Sequence, residues 1–208
     1  MTTPNPARIF LVDDHPMVRE GLANVLRGAG LAIAGEAGGI RETLQHPALS
    51  KSNLVIVDLA LGEENGISLI QRLRECSLSV LVYSMHERSD VIRKALDAGA
   101  GGYVTKREVS SSLLEAIRTV AAGSRFLSPR AEIALAHATP IDTLTGQQQQ
   151  IYRLMGQGLS NDEIARQLGI SVRTLESYGT RIMNKLGLQS MKDLRRQTIR
   201  DASSPPVA

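Results

Sequence analysis

Five short apolar runs, RIFLV at 8–12, LAIAG at 31–35, LVIV at 54–57, SVLVY at 79–83 and GYV at 102–104, alternate with stretches of helical apolar spacing. This rhythm constrains the fold more than any other feature of the chain. The helical spacing is clear at Met17, Val18, Leu22, Val25 and Leu26, at Val91, Ile92, Ala95 and Leu96, and at Leu113, Leu114, Ile117 and Val120. The apolar runs lack the polar alternation of a sheet with one wet face, so they predict strands covered on both sides. The expected architecture is an α/β domain, a five-stranded doubly wound parallel sheet over residues 1–123.

After Gly123 the strand pattern stops. The stretch SRFLSPRAEIALAHATPID, with two prolines and a short helix expected around 130–137, predicts a linker over 124–141. From Leu144 the pattern is all helical. Thr145 with Gln148 and Ser160 with Glu163 fit capping boxes, Ser171 fits a third helix cap, and Gly158 and Gly169-Ile170 supply the breaks. A fourth helix at about 190–199 completes a small all-α domain over 142–208, and the tail SSPPVA is expected to fray.

Composition removes several function classes. Cys76 is the single cysteine, which rules out an intrachain disulfide and points to a reducing compartment. No run of 18 apolar residues occurs and the start MTTPNPAR lacks a leader pattern, so a cytoplasmic protein without a membrane partner is expected. Aromatics are 3 % with no Trp, too few for a base-stacking platform. Charge is unevenly placed: residues 1–140 carry 15 Lys/Arg against 15 Asp/Glu, whereas 141–200 carry 9 against 5, a modest basic excess that suits a polyanionic partner.

In an open α/β sheet, ligands bind beyond the carboxyl ends of the strands near the point where strand order reverses. The residues there are Asp13 and Asp14 after the first run, Asp58 after the third, Ser84 after the fourth, and Thr105 and Lys106 after the fifth. If the order is 2-1-3-4-5, three carboxylates converge in one crevice and repel. A hard divalent cation such as Mg²⁺ and a nearby ammonium, Lys106, both relieve that repulsion. A carboxylate beside such a cation can act as a nucleophile toward phosphorus, with Ser84 and Lys106 meeting the phosphoryl oxygens. Taken singly, these residues have ordinary uses: Asp14 before His15-Pro16 as a helix cap, Ser84 as a turn residue, Lys106 as a solvated charge. His15, His46, His86 and His137 have unrelated spacings and are read as non-ligands.

The segments LVDDHPMVREGL, LVIVDLALGEENGISLIQRLR, VLVYSMHE and ALDAGAGGYVTK resemble the receiver domain of NarL/FixJ-class two-component response regulators over about residues 7–122. The resemblance implies that Asp58 accepts the phosphoryl group. Asp13, Asp14, Asp58 and the backbone carbonyl of Ala60 would hold Mg²⁺, Ser84 and Lys106 would contact the phosphoryl group, and Tyr103 would be the aromatic that turns inward on activation. Two departures stand out. Ala60-Leu61 replaces a frequent Met-Pro, and Arg107 replaces a frequent Pro, so Ala60 and His86 are expected to influence phosphoryl lifetime.

The segment LTGQQQQIYRLMGQGLSNDEIARQLGISVRTLESYGTRIMNKLGL resembles the LuxR-type helix-turn-helix over about 142–200. That likeness implies that the helix from about Val172 to Lys185 enters the major groove, with Arg173, Glu176, Ser177, Thr180, Arg181 and Lys185 as DNA-facing candidates. Glu176, Tyr178, Gly179 and Gln147 replace residues more frequent in the family, and Gly179, inside the helix, is read as lying on the DNA side. The function expected is that of a transcriptional regulator. A sensor histidine kinase would phosphorylate Asp58, and the C-terminal domain would bind promoter DNA as a homodimer. The rivals are a regulator acting by protein contact and a metal-dependent phosphohydrolase. The hydrolase is disfavoured because it needs a carboxylate two residues after the nucleophile, where Ala60 stands. A nucleotide-dependent enzyme lacks its glycine motif.

Overall fold

The structure, a computed structural model, describes residues 7–62 and 64–203. The chain divides into two compact units, Met1–His137 and Ala138–Ala208. The first contains, in chain order, β1 (Arg8–Val12), α1 (Pro16–Gly28), β2 (Ala32–Ala37), α2 (Ile40–Gln45), β3 (Leu54–Val57), β4 (Ala60–Leu61), β5 (Glu64–Asn65), α3 (Gly66–Glu75), β6 (Ser79–Ser84), α4 (Ser89–Asp97), β7 (Gly102–Thr105), α5 (Ser110–Ala121), β8 (Phe126–Leu127) and α6 (Pro129–Ala136).

The main sheet has the order β2-β1-β3-β6-β7-β8 with every pairing parallel. The five apolar runs take the 2-1-3-4-5 order, and β8 adds a sixth strand at the edge. Strands β4 and β5 form a separate antiparallel ladder. Alternate strand residues feed two cores. Phe10, Val12, Val55, Val57, Val80, Val82 and Tyr103 pack on one face with α3 and α4. Ile9, Leu11, Leu54, Ile56, Leu81 and Val104 pack on the other with α1 and α5. Both faces are dry, which explains why the runs show no polar alternation.

Two expectations need correcting. Helical spacing placed α1 but not its inner face: Met17, Val18 and Val25 are 81 %, 40 % and 45 % exposed, while Ala23 and Leu26 carry the buried side. The 124–141 linker is the second. Phe126 and Leu127 pair with Gly102 and Tyr103, and Ala131, Ala134 and Leu135 of α6 pack into the core beneath α4 and β7. Ser128 is fully buried; its N–H donates to the Tyr103 carbonyl at 2.9 Å, and its Oγ accepts from the Thr105 N–H at 3.4 Å. Small side chains let this segment lie close against the sheet, so residues 126–136 belong to the first unit.

The second unit has a 3₁₀ turn at Pro140–Thr143, then α7 (Gly146–Gly156), α8 (Asn161–Leu168), α9 (Val172–Lys185) and α10 (Met191–Ser203). Both capping boxes form, at Thr145/Gln148 and Ser160/Glu163, and Ser171 Oγ accepts from the Thr174 N–H at 3.0 Å. Gly169 ends α8 in the left-handed region at φ 65°, a conformation that strains residues with a Cβ. Ile151, Leu154, Met155, Ile164, Ala165, Leu175, Ile182 and Leu194 make the core. Helix α10 runs past the expected 199; the MTTPNP start and the tail beyond Ser203 lie outside the described residues.

Gly179 is buried and faces inward, which corrects its placement on the DNA side. A Cβ there would stand 2.8 Å from Met191 Cε and 3.9 Å from Met155 Cε. The Met191 tip is flexible and can give way to one methyl group, while alanine regains roughly 0.5–1 kcal/mol of helix propensity. Gly179→Ala is therefore expected to stay within about 1 kcal/mol of wild type in thermal denaturation, and Gly179→Leu, which overfills the site, to lose about 1–3 kcal/mol.

Candidate functional site

The carboxyl ends of β1 and β3, neighbours in the sheet, deliver Asp13 and Asp58, which are 3 % and 4 % exposed. Lys106, from the end of β7, donates to Asp13 Oδ2 and to Asp58 Oδ2, each at 2.6 Å. Its own N–H donates to the Ser84 carbonyl at 2.8 Å, so the strand ends hold the ammonium between the two carboxylates. Burial alone would lower the Lys106 pKa, but the hydrogen bonds and charges of Asp13 and Asp58 outweigh it and raise the pKa, keeping the group cationic.

Asp13 Oδ1 accepts from the His15 N–H at 2.9 Å, and Arg19 Nη1 donates to the Asp13 carbonyl at 2.6 Å. Asp14 does not cap α1: the N-cap is His15, with no side-chain cap bond, and Pro16 opens the helix. Asp14 Oδ2 instead accepts from the Gly62 N–H at 2.9 Å, and its Oδ1 faces the His15 ring, Nδ1 at 2.7 Å. Asp13, Asp14 and His15 therefore gather potential ligand atoms within 4.8 Å of one another. His15, read from its spacing as a non-ligand, stands beside both aspartates because the three residues are adjacent in the chain. An enclosed Asp14 oxygen without a well-formed hydrogen bond, beside further carboxylate oxygens, fits a hard cation that takes oxygen ligands. Asp58 Oδ1 accepts from the Ala60 N–H at 3.3 Å. Behind the loop, a Cβ at Gly66 would meet the Asp58 carbonyl at 2.7 Å, so glycine allows α3 to start against it.

Ser84 and Thr105 are register partners at the ends of β6 and β7, both fully buried, and neither hydroxyl oxygen makes a well-formed hydrogen bond. Tyr103 is fully buried rather than at a solvent edge, and its hydroxyl donates to the His86 carbonyl at 2.8 Å. In the second unit, buried Tyr152 donates to Asp201 Oδ2 at 2.6 Å. Burial is the main cause that raises both phenols above their ordinary range, with the Asp201 carboxylate adding to it at Tyr152. The folded chain thus holds these protons more tightly than the unfolded chain. Their stabilising contribution is complete below the unfolded pKa of about 10 and is lost as pH rises beyond it. Denaturant titrations of wild type are expected to show stability falling above about pH 10, and less steeply in a Tyr103→Phe/Tyr152→Phe variant.

On α9, Arg173, Glu176, Ser177, Thr180 and Arg181 are all exposed. Helical spacing sets Asn184, also exposed, on the same face beside Thr180, a position the sequence reading omitted. Ser177 Oγ and Thr180 Oγ1 donate to the carbonyls one turn back, those of Arg173 and Glu176. Lys185 differs from the other candidates: its ammonium donates to the Thr143 carbonyl at 3.0 Å and to Gln148 Oε1 at 2.9 Å, tying α9 to the entry of α7.

Comparison with known proteins covers both units. Residues 9–118 match the response regulator receiver domain, and residues 142–197 match the bacterial regulatory proteins of the luxR family. The chain is 32 % identical over 194 residues to the DNA-binding transcriptional activator DevR/DosR of Mycobacterium tuberculosis, covering 88 % of this chain and 89 % of that protein. It is also 32 % identical over 202 residues to the nitrate/nitrite response regulator protein NarL of Escherichia coli K12, covering 91 % and 94 %. A solved structure of two RcsB dimers bound to two parallel DNAs shares the fold, with a TM-score of 0.64, 23 % identity, and coverage of 96 % of this chain and 100 % of that one.

Proposed function

This chain belongs to the NarL/FixJ-class response regulators, a receiver domain followed by a LuxR-family DNA-binding domain, and on that premise we propose that phosphorylation of Asp58 controls its binding to promoter DNA. The observation that carries the reading is Lys106 bridging Asp13 and Asp58 beside the buried hydroxyl of Ser84.

A sensor histidine kinase supplies the phosphoryl group. An Asp58 carboxylate oxygen attacks phosphorus, the new O–P bond forms as the P–N bond of a phosphohistidine breaks, and the imidazole leaves with the bond's electron pair. Lys106 changes partner, giving up an Asp58 oxygen to neutralise a phosphoryl oxygen, and the Ser84 hydroxyl donates to another. Asp13, Asp14, Asp58 and the Ala60 carbonyl would hold Mg²⁺, which when bound supplies positive charge to the phosphoryl oxygens. The exposed apolar residues of α1, Met17, Val18 and Val25, begin one turn from Asp14 and offer the kinase a surface beside the pocket.

Movement of Ser84 toward the phosphoryl group would draw on Tyr103, whose backbone carbonyl holds Ser128 and the segment leading out of the receiver unit. That contact gives the phosphorylation signal a covalent and hydrogen-bonded route toward the chain's second unit. In that unit, Arg173, Glu176, Ser177, Thr180 and Arg181 meet promoter DNA, and a homodimer would read two half-sites. Among the described residues no helix is long and apolar enough to cross a membrane; a cytoplasmic regulator is the setting proposed.

Capture of genomic DNA fragments by phosphorylated and unphosphorylated protein tests the reading. Recovery of a defined fragment set that changes with phosphorylation is expected. Recovery of no DNA in either state favours a regulator acting by protein contact, for which Glu176 on the recognition face is the specific sequence argument.

A further inference from the structure

At the edge of the α9 face nearest α7, Arg181 lies over the ring of Tyr178, its guanidinium carbon 6.0 Å from the ring centroid. The Tyr178 hydroxyl donates to Gln147 Oε1 at 2.6 Å. Gln147 stands in the first turn of α7, between Gly146 and the Gln148 that closes the capping box with Thr145. The ring is therefore fixed at both ends, by its own helix backbone and by a second helix whose start is locked. Ser171, Arg173, Thr174, Ser177, Tyr178 and Arg181 enclose a concavity of about 340 Å³. Its wall carries two guanidinium groups and no carboxylate, a lining suited to the oxygens of a phosphate.

The position on the helix agrees. Arg181 lies roughly 80° around α9 from Arg173, off the line through Thr180 and Asn184 that would meet base edges. A free arginine on that edge samples many rotamers and loses that freedom when it binds. One already stacked on a fixed ring loses less.

We propose that Tyr178, held by Gln147, is a positioning residue that keeps Arg181 over this concavity as a contact for a DNA backbone phosphate. The proposal rests on the DNA-contact reading above and deepens it, because it assigns Arg181 to backbone positioning rather than to base recognition.

The test uses the full-length protein and short duplexes of unrelated sequence, titrated across a salt series, with folding of every variant checked by thermal denaturation. Arg181→Ala is expected to weaken all duplexes alike and to reduce the log–log salt slope by about 0.9, one phosphate contact. Tyr178→Leu is expected to weaken binding about two- to fivefold, the scale of an exposed cation–π contact. Tyr178→Phe, which keeps the ring but loses the Gln147 bond, should fall between, and Gln147→Ala should match it. In the Arg181→Ala background, Tyr178→Leu should produce no further loss, because it acts through the arginine.

Equal losses from Tyr178→Leu with and without Arg181, or none in either, overturn the positioning role and leave DNA binding standing. A loss in Arg181→Ala confined to one sequence makes Arg181 a base reader and overturns the phosphate assignment. Should Tyr178→Leu unfold the domain, Tyr178→Phe and Gln147→Ala in the two arginine backgrounds decide the same question. Failure of wild type to bind any duplex at low salt overturns the DNA-contact reading itself, and this proposal with it.

Discussion

Incubated with a small acyl phosphate and Mg²⁺, the wild-type protein is expected to gain one phosphoryl group by intact mass, and Asp58→Asn to gain none. Asp58 and Asp13 are both buried at strand ends with an oxygen hydrogen-bonded to Lys106, but Asp58 is carried at the end of β3, which lies between β1 and β6, so it stands between the strand end that carries Asp13 and the one that carries Ser84. Asparagine keeps the shape and can still accept from the lysine, so the fold should survive while the nucleophilic oxygen is lost. Equal labelling of both proteins would place the acceptor elsewhere and remove the chemical basis of the functional reading.

Lys106→Met is expected to produce the largest loss of stability. The ammonium and its two carboxylate partners are largely withdrawn from water, with side-chain exposures of 10 % for Lys106 and 5 % for each aspartate. Removing the cation leaves two buried anions facing one another, and breaking a buried pair in this way costs about 3–5 kcal/mol. Mg²⁺ should restore part of that loss by supplying charge to the same oxygens. Calorimetry of wild type and Lys106→Met, each with and without Mg²⁺, reads both effects in the receiver unit's transition. A variant as stable as wild type, or one whose deficit Mg²⁺ does not change, would contradict the electrostatic account of the pocket.

Much of this site could be read from the sequence because run boundaries place residues at strand ends, and strand ends meet in space. Asp13, Asp14, Asp58, Ser84 and Lys106 were located that way, and the structure brings Asp13, Asp58 and Lys106 into direct contact. Segments whose packing depends on small residues were harder to read. Ala131, Ala134 and buried Ser128 carry no hydrophobic periodicity strong enough to separate a docked strand and helix from a linker.

Gly179 was recoverable. Leu175, Ile182 and Leu186 mark an inward stripe, and a residue four positions after 175 and three before 182 falls on it. Treating the glycine by its type rather than its phase put it on the wrong side. On α1 the phase was ambiguous, because apolar residues lie on both faces: Leu22 and Leu26 pack inward while Met17, Val18 and Val25 face solvent. Lys185 and Tyr178 could not be assigned from sequence, since their partners Thr143, Gln148 and Gln147 belong to another helix or its approach, more than 30 positions away. Contacts of that kind depend on how helices cross, which periodicity does not specify.

The central claim is that a phosphoryl group on Asp58 controls DNA binding, and its most direct measurement is a DNA-binding titration of wild type and Asp58→Asn, each with and without the acyl phosphate, on a fragment recovered by genomic capture. The account predicts that the donor shifts the affinity of wild type and leaves that of Asp58→Asn unchanged. An equal shift in both proteins, or no shift in a wild type shown by mass to be phosphorylated, would contradict it.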